Sequence, residues 1–287
     1  MKAFVRIAVL LMLSVSGSTI AGAPPPEAVI GTTPVVEAAP TIEATPIVEA
    51  TPVFETTPVP VATPTAEATP AVPPTPKTIN ATYDVSKAGI RVGVVEERYQ
   101  RTGDTYTLVS TTRAVGVFSW FQSGKIIVNS SGLINAHGLR PLMFDGNNEN
   151  KKDDHKRGEF DWDTKQISVT RGTQLSTLEL PDNTQDRLSA MYQFMFLPLQ
   201  PGTAVPFPML NGHYLTELNF VVSDGSTIKV PAGEYATLYL DNQIQKKDER
   251  TELWLATAFY NIPVKMVITD DGGGKLTQAL RGLQIEP

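Results

Sequence analysis

Residues 90–112 read IRVGVVEERYQRTGDTYTLVSTT, and this stretch predicts the fold of the chain. Ile90, Val92 and Val94 alternate with other residues before residues 101–104, and Tyr106 and Leu108 resume the alternation afterwards. A period of two is typical of a β-strand with one buried face, and Gly next to Asp is typical of a turn. The stretch therefore predicts a β-hairpin.

The same two-residue period returns further along the chain. It runs through residues 214–222, 228–230, 238–244, 264–268 and 276–280, with Gly-, Pro- or charge-rich turns between the runs. The pattern predicts about ten mainly antiparallel strands, and a sheet of that size must curl, close or split. We expect a mainly β fold whose curled antiparallel sheet forms an open or half-closed barrel, with a two-sheet sandwich as the alternative.

One segment has a helical period instead. Its apolar residues are Leu188, Met191, Tyr192, Met195 and Leu199. Asn183 is expected to cap this helix, Asp186 to lie in its first turn and Pro198 to end it. We therefore expect at least one α-helix, over residues 185–197, packed on one face of the sheet.

The N-terminus has the order of a secretory signal peptide. Lys2 and Arg6 flank an apolar run over residues 7–15, and small residues follow. The run is too short to cross a bilayer of about 30 Å. We predict a signal peptide over residues 1–21, cleaved after Ala21, and no later segment is apolar enough for a transmembrane helix.

A proline-rich segment follows the predicted signal. Prolines occupy every sixth position from 34 to 76, in the recurring unit Glu-Ala-Thr-Pro-Ile/Val. Each proline disfavours helix and central strand, and the segment has few large apolar groups to offset the entropy of ordering. We predict an extended, disordered tether over residues 22–77 and a single β-rich folded domain over residues 78–287.

Composition excludes several classes of protein. The chain has no Cys, which rules out disulfides, thiol catalysis and a lipid anchor on a Cys side chain. Residues 77–287 carry 22 basic and 24 acidic residues, so the predicted domain lacks the basic surface that nucleic-acid binding needs. With the signal peptide, this composition indicates a periplasmic or otherwise exported protein of the bacterial envelope.

Five short sequence blocks of the predicted domain occur in an order that is typical of one protein family. They are residues 138–141 (GLRP), 160–162 (FDW), 185–189 (QDRLS), 231–233 (PAG), and 252–256 (ELWLA) with 262–264 (IPV). This order resembles the bacterial exported family catalogued as domain of unknown function 3108, over about residues 80–285. The resemblance implies an exported, β-rich protein without an established activity, and a likeness to half-barrels that carry lipids or lipoproteins.

The positions that match this family are expected to have structural roles. They are Pro141, Phe160, Asp161, Gln185, Asp186, Gly233, Trp254 and Pro263. We expect Asp161 to bond the turn at residues 163–165, residues 185–186 to cap the helix, and Gly233 to serve a turn that needs a permissive φ.

No catalytic frame is recognisable in the sequence. The three histidines, His137, His155 and His213, stand in no hydrolase or metalloprotease motif. We therefore predict no catalytic residue, no metal site and no cofactor. An envelope hydrolase or glycan-acting enzyme that uses Asp161, Asp163 or His137 remains the rival hypothesis.

The remaining candidate site is apolar. Its residues are Phe118, Trp120, Phe121, Met191, Tyr192 and Met195. Methionine and aromatic side chains adapt to irregular apolar ligands, although they also fill ordinary cores. Our leading hypothesis is a non-enzymatic protein that binds a lipid, another apolar or amphipathic ligand, or an envelope protein. A scaffold that acts through its tether is a third hypothesis.

Overall fold

The computed structural model describes residues 75–120, 124–150, 155–242 and 250–287. The predicted signal peptide, almost all of the predicted tether, Phe121 and the predicted charged turn at residues 246–249 lie outside these ranges.

The described residues form seventeen strands and two short helices. The helices are the 3-10 helix η1 (Gly116–Trp120) and the α-helix α1 (Ser189–Gln193). The strands are β1 (Thr78–Lys87), β2 (Ile90–Thr102), β3 (Thr105–Ala114), β4 (Lys125–Asn135), β5 (Gly138–Asn148), β6 (Lys156–Asp161), β7 (Gln166–Arg171), β8 (Gln174–Glu179), β9 (Gln185–Asp186), β10 (Ala204–Asn211), β11 (Tyr214–Asp224), β12 (Ile228–Val230), β13 (Gly233–Tyr235), β14 (Thr237–Asp241), β15 (Arg250–Ala256), β16 (Ile262–Thr269) and β17 (Lys275–Glu286).

Fifteen of these strands form one sheet, which confirms the predicted mainly β, antiparallel fold. Its order is β8-β7-β6-β5-β4-β3-β2-β1-β17-β16-β15-β14-β11-β10-β9, and β12 and β13 form a separate hairpin. Among the described strands, every pairing is antiparallel except the parallel pairing of the two-residue strand β9 with β10. Because one sheet holds fifteen strands, the fold is not the two-sheet sandwich, and the sequence pattern underestimated the number of strands.

The hairpin predicted from residues 90–112 is present. Strands β2 and β3 pair from Gly93 opposite Ala114 to Thr102 opposite Thr105. Gly103 in the two-residue turn has φ +59, a conformation that glycine adopts without the steric cost of a Cβ atom. The turn and the alternation therefore specify this hairpin locally.

The sheet curls until its two ends touch. Leu210 of β10 packs in a cluster with Phe160 of β6 and Val169 of β7, although these strands lie far apart in the sheet order. A Cβ atom on Gly158 would lie only 2.7 Å from a methyl carbon of Leu210. The two ends of the sheet are thus held together by side-chain packing. Because the end strands β8 and β9 do not pair, the barrel is half-closed.

A segment of irregular chain fills the concave side of the curled sheet. We call residues 184–199 the plug segment. Leu188 and Tyr192 pack against β1–β5, whereas Ala190 and Phe194 pack into a second cluster with β10, β11, β14 and β15. An α-helix this short is stabilised by its tertiary contacts and not by its own propensity.

The helix of the plug segment is shorter than predicted, and Asn183 does not cap it, although Asp186 accepts N–H groups as expected for a capping residue. Asn183 is exposed and has φ +60. The first free N–H groups of the segment, those of Leu188 and Ser189, donate to Asp186 Oδ1 at 2.9 and 3.0 Å. Pro198 is exposed beyond the end of the helix, and the chain between them forms only single turns.

One buried tyrosine joins the first strand of the sheet to β16. The hydroxyl of Tyr83 donates to the backbone oxygen of Pro263 at 3.0 Å. We expect Tyr83→Phe to lower the free energy of unfolding by about 1–2 kcal/mol, because the buried carbonyl loses its donor. Urea unfolding of the full chain measures this loss. Tyr235→Phe is the matched control, because the side chain of Tyr235 is half-buried. An equal loss of unfolding free energy in both variants would contradict the prediction.

Candidate functional site

A carboxyl group faces the concave side of the sheet. Glu97 alternates on β2 with Val95 and Tyr99, which are both fully buried. Its partner on the neighbouring strand β3 is Ser110. Successive residues of a strand point to opposite faces, so Glu97 points inward with Val95 and Tyr99.

Two hydroxyl groups hold this carboxyl. Tyr192 of the plug segment donates to Glu97 Oε2 at 3.1 Å, and Ser110 donates to Oε1 at 3.4 Å. The ring of Tyr192 stacks on Tyr99, with centroids 5.8 Å apart. Burial raises the pKa of Glu97 to about 7, although both hydrogen bonds oppose the rise. Near neutral pH, Glu97 therefore exists both with and without its proton.

A second buried carboxyl lies further along the same face. Asp186 is 0% exposed and accepts a hydrogen bond from Ser130 Oγ on β4. The hydroxyl of Ser130 also contacts that of Tyr106 at 3.1 Å. Burial raises the pKa of Asp186, while the bonds from Ser130 and the backbone of Ser189 favour its charged form. We call Glu97, Ser110, Ser130, Asp186 and Tyr192 the polar seam.

Two glutamines attach the plug segment to the turn between β4 and β5. Gln193 accepts a bond from the N–H of Leu139 and donates to the oxygen of His137, both at 2.7 Å. Gln185 donates to the oxygen of Leu139 at 2.9 Å. A Cβ atom on Gly138, which has φ +104, would lie 2.5 Å from Gln193 Oε1, so only glycine leaves room for this contact. These bonds fix the position of the segment that carries Tyr192.

The sequence matches the family described as Protein of unknown function (DUF3108) over residues 82–280. The chain belongs to the DUF3108 family. The match confirms the resemblance predicted from the sequence, and it extends from β1 to β17 across the whole polar seam. No curated protein matches the sequence.

The solved structures to which the chain is similar include three bacterial proteins. A β-barrel-like protein of domain of unknown function DUF1849 from Brucella abortus has 14% identity and a TM-score of 0.48, covering 77% of this chain and all of that chain. A candidate lipoprotein from Parabacteroides distasonis has 9% identity and a TM-score of 0.32, and the alignment covers 73% of this chain and 96% of that chain. A candidate exported protein with a YmcC-like fold from Bacteroides fragilis has 11% identity and a TM-score of 0.28, and the alignment covers 76% of this chain and 100% of that chain.

The DUF3108 protein brings only part of the predicted apolar site together. Met191, Tyr192 and Met195 all pack in the cluster between the plug segment and β1–β5. Phe118 lies in a different cluster with β1, β2 and β17, and Trp120 is 87% exposed. Phe121 is not among the described residues.

The family-matching residues occupy several environments in the DUF3108 protein. The indole N–H of Trp162 donates to the oxygen of Pro141 at 2.7 Å. Phe160 packs in the cluster that joins the two ends of the sheet. Gly233 has φ +138 in the β12–β13 hairpin. Lys265 lies 4.4 Å above the ring of Trp254.

The residues of the rival enzyme hypothesis have local contacts. Asp161 Oδ1 accepts the N–H groups of Asp163 and Thr164 at 3.0 Å, as expected for a residue that stabilises its own turn. His137 is exposed, and its N–H donates to Asn135 Oδ1. Within the described ranges, no group of three or more acidic or histidine side chains is arranged to hold a metal ion.

The described part of the DUF3108 protein contains no helix long and apolar enough to cross a bilayer.

Sequence reasoning missed Glu97, and β2 itself explains the omission. Val85 of β1 lies opposite Gly93 and Ser86 opposite Arg91, which leaves Val92 as an extra residue. Such a bulge exchanges the two faces of a strand. If the alternation that starts at Ile90 continued without a bulge, Glu97 would lie on the outer face of the sheet. Ile90 itself is 60% exposed, so the predicted alternation does not mark the buried face from its first residue.

Proposed function

We propose that the folded body binds an amphipathic ligand of the bacterial envelope, with the ligand's apolar chain against the plug segment and its polar group at Glu97. The observation that carries the proposal is an inward-facing, half-buried carboxyl beside half-buried apolar side chains. In this proposal residues 1–21 direct export, residues 22–77 form the tether, and residues 78–287 form one domain that works in the periplasm or elsewhere in the envelope.

The apolar half of the proposed site surrounds the buried cluster of the plug segment. The side chains that pack on this cluster while keeping some exposure are Val128, Met191, Met195, Leu283 and Ile285. Apolar side chains with residual exposure can gain further burial on binding, at about 25 cal/mol per Å². Flexible methionines at this surface suit an irregular alkyl chain better than one rigid shape.

The polar half of the site supports binding more than catalysis. Glu97, Ser130 and Asp186 are hydrogen-bonded to groups of the fold itself. The contacts described for these three residues include no histidine, which a serine nucleophile would use as its base. A carboxyl with a pKa near 7 instead donates or accepts a hydrogen bond according to pH, which suits the hydroxyl or carboxyl head of an amphiphile.

We expect the full mature chain to bind 11-(dansylamino)undecanoic acid, a fluorescent amphiphile, with a one-to-one stoichiometry. Met195→Ala should weaken this binding about fivefold to tenfold, because truncation removes apolar area worth about 1 kcal/mol or more. Fluorescence titration at pH 6 measures the affinity. Leu175→Ala is the control, since Leu175 is 71% exposed on the edge strand β8.

Native mass spectrometry of chain purified from a bacterial periplasm provides a second measurement. A co-purifying amphiphile released by denaturation would support the proposal. Failure to bind the probe together with a ligand-free mass would contradict it, as would an equal loss of binding in the Leu175→Ala control.

A further inference from the structure

One end of the fifteen-stranded sheet is a strand that is exposed on both faces. Strand β8 comes first in the sheet order, and within the described ranges it pairs only with β7. Five of its six residues are exposed, and Leu175 is 71% exposed. On the neighbouring β7, by contrast, Ile167 and Val169 are buried. Strand β8 therefore projects beyond the core, and its outer edge faces solvent.

The hydrogen bonds of the β7–β8 hairpin show which backbone groups lie on this edge. Leu180 donates its N–H to the oxygen of Lys165 at 2.9 Å, one position beyond the pairing of Glu179 with Gln166. In an antiparallel pair, hydrogen-bonded and non-hydrogen-bonded positions alternate, so every second residue of β8 bonds to β7. The residues of β8 that direct their N–H and C=O groups away from β7 are Leu175, Thr177 and Glu179.

The opposite end of the sheet is protected against strand addition, whereas β8 is not. The two-residue strand β9 covers only Met209 and Leu210 of β10. The rest of β10 carries Pro206 and Pro208, and proline has no N–H to offer to an added strand. Strand β8 contains no proline, lysine or arginine, and no bulge interrupts its pairing with β7. An added strand is therefore favoured at β8 and disfavoured at β10.

We propose that β8 pairs with β8 of a second copy of this chain, antiparallel across a two-fold axis at Ser176. Pairing of β8 with β10 of a further copy would give an open fibre, and the prolines of β10 disfavour it. Pairing of β8 with itself is closed after two copies, because both use the same edge. This inference uses none of the residues that are proposed to bind the amphipathic ligand, and it does not depend on that proposal.

The sequence of β8 is complementary to itself in this register. A two-fold axis perpendicular to the sheet keeps the outer faces of both copies on one side, so opposed residues share a face. With Ser176 on the axis, Leu175 lies opposite Thr177 of the partner subunit, and both residues direct their backbone groups to the shared edge. Glu179, the one charged residue of the strand, lies opposite Thr173, so no like charges meet. With Thr177 on the axis, Leu175 would instead oppose Glu179.

The dimer is expected to be weak and reversible. Two paired six-residue strands bury much less surface than the about 800 Å² per partner of a stable complex. Sedimentation velocity of the full mature chain, from about 1 to about 500 µM, should therefore show a monomer that converts to a dimer as the concentration rises.

Thr177→Pro tests the hydrogen bonds at the shared edge. The N–H of Thr177 points away from β7, so proline removes a donor to the partner and none to the hairpin. We expect the dissociation constant of the dimer to rise about tenfold or more, because two hydrogen bonds are lost across the axis. Thr177→Ala keeps the N–H and is the matched control, with a dissociation constant within about threefold of the parent.

A single introduced cysteine tests the register, because the chain has no Cys. Ser176 would oppose Ser176 of the partner subunit at a non-hydrogen-bonded position, where Cα atoms are about 4.5 Å apart. A disulfide spans this distance, so Ser176→Cys should form a covalent dimer on mild oxidation. Ser168→Cys is the matched control, because Ser168 is exposed on β7, a strand paired at both edges. A non-reducing gel compares the two variants.

Three results would overturn the proposal. The first is a chain that stays monomeric up to about 500 µM. The second is an equal effect of Thr177→Pro and Thr177→Ala on the dissociation constant. The third is cross-linking of Ser168→Cys as readily as Ser176→Cys, which would show collision between copies and not pairing of β8.

Discussion

Replacing Asp186 with alanine is expected to lower the free energy of unfolding by about 3–5 kcal/mol. The carboxylate is fully buried and accepts hydrogen bonds from Ser130 Oγ and from the backbone N–H groups of Leu188 and Ser189. Alanine would leave three buried donors without an acceptor at the start of α1. Urea unfolding of the full chain, followed by circular dichroism, measures the loss.

Two further variants separate the charge of Asp186 from its hydrogen bonds. Asp186→Asn keeps one oxygen for the two backbone N–H groups, so we expect a smaller loss of about 1–2 kcal/mol. Asp182→Ala changes an exposed acid that forms a surface ion pair with Lys165, and its unfolding midpoint should stay near that of the parent. An unchanged midpoint in Asp186→Ala would contradict the anchoring role of this residue.

Replacing Glu97 with glutamine is expected to stabilise the protein by about 1–3 kcal/mol at pH 8 and to change little at pH 5. Burial raises the pKa of Glu97 from 4.5 to about 7, so the folded state prefers the protonated carboxyl. The stability that this preference contributes is fully present below pH 4.5 and is lost as the pH rises through 7. Glutamine stays neutral and keeps an oxygen for the hydroxyl of Tyr192.

Urea unfolding between pH 5 and pH 8 measures this effect. Glu96→Gln is the matched control, because Glu96 is exposed on the opposite face and binds Arg113 at 2.7 Å. The hydrogen bond from Arg113 lowers the pKa of Glu96, so this group contributes stability above its unfolded pKa and loses it as the pH falls. A pH dependence in Glu97→Gln identical to that of the parent would contradict the prediction.

Local sequence patterns predicted the elements that depend on neighbouring residues. The β2–β3 hairpin follows from alternation around Gly103, and the role of Asp161 follows from N–H groups only two and three residues away. The helix prediction failed in its length and in the choice of Asn183 as a cap, whereas Asp186 does accept the N–H groups of Leu188 and Ser189. Apolar periodicity marked the side chains of the plug segment that pack inward, but tertiary packing decided how many of them are helical.

The candidate site was predictable only where its residues are close in sequence. Met191, Tyr192 and Met195 lie within five consecutive residues, and they pack in the same hydrophobic cluster. Phe118 packs elsewhere, because the position of η1 depends on its contacts with β2 and β3. The role of Glu97 was hidden by the bulge at Val92, which no local pattern of apolar residues reveals.

The sequence alone determined the class of fold and the family, because side-chain alternation and turn residues act between neighbours along the chain. The tertiary structure alone decided that β1 pairs with β17, nearly 200 residues away, and that the plug segment lies inside the curl. It also decided the chemistry of the two inward carboxyls. The free energy of a buried charge depends on groups that only folding brings within a few ångströms, and for Glu97 those groups are Tyr192 and Ser110.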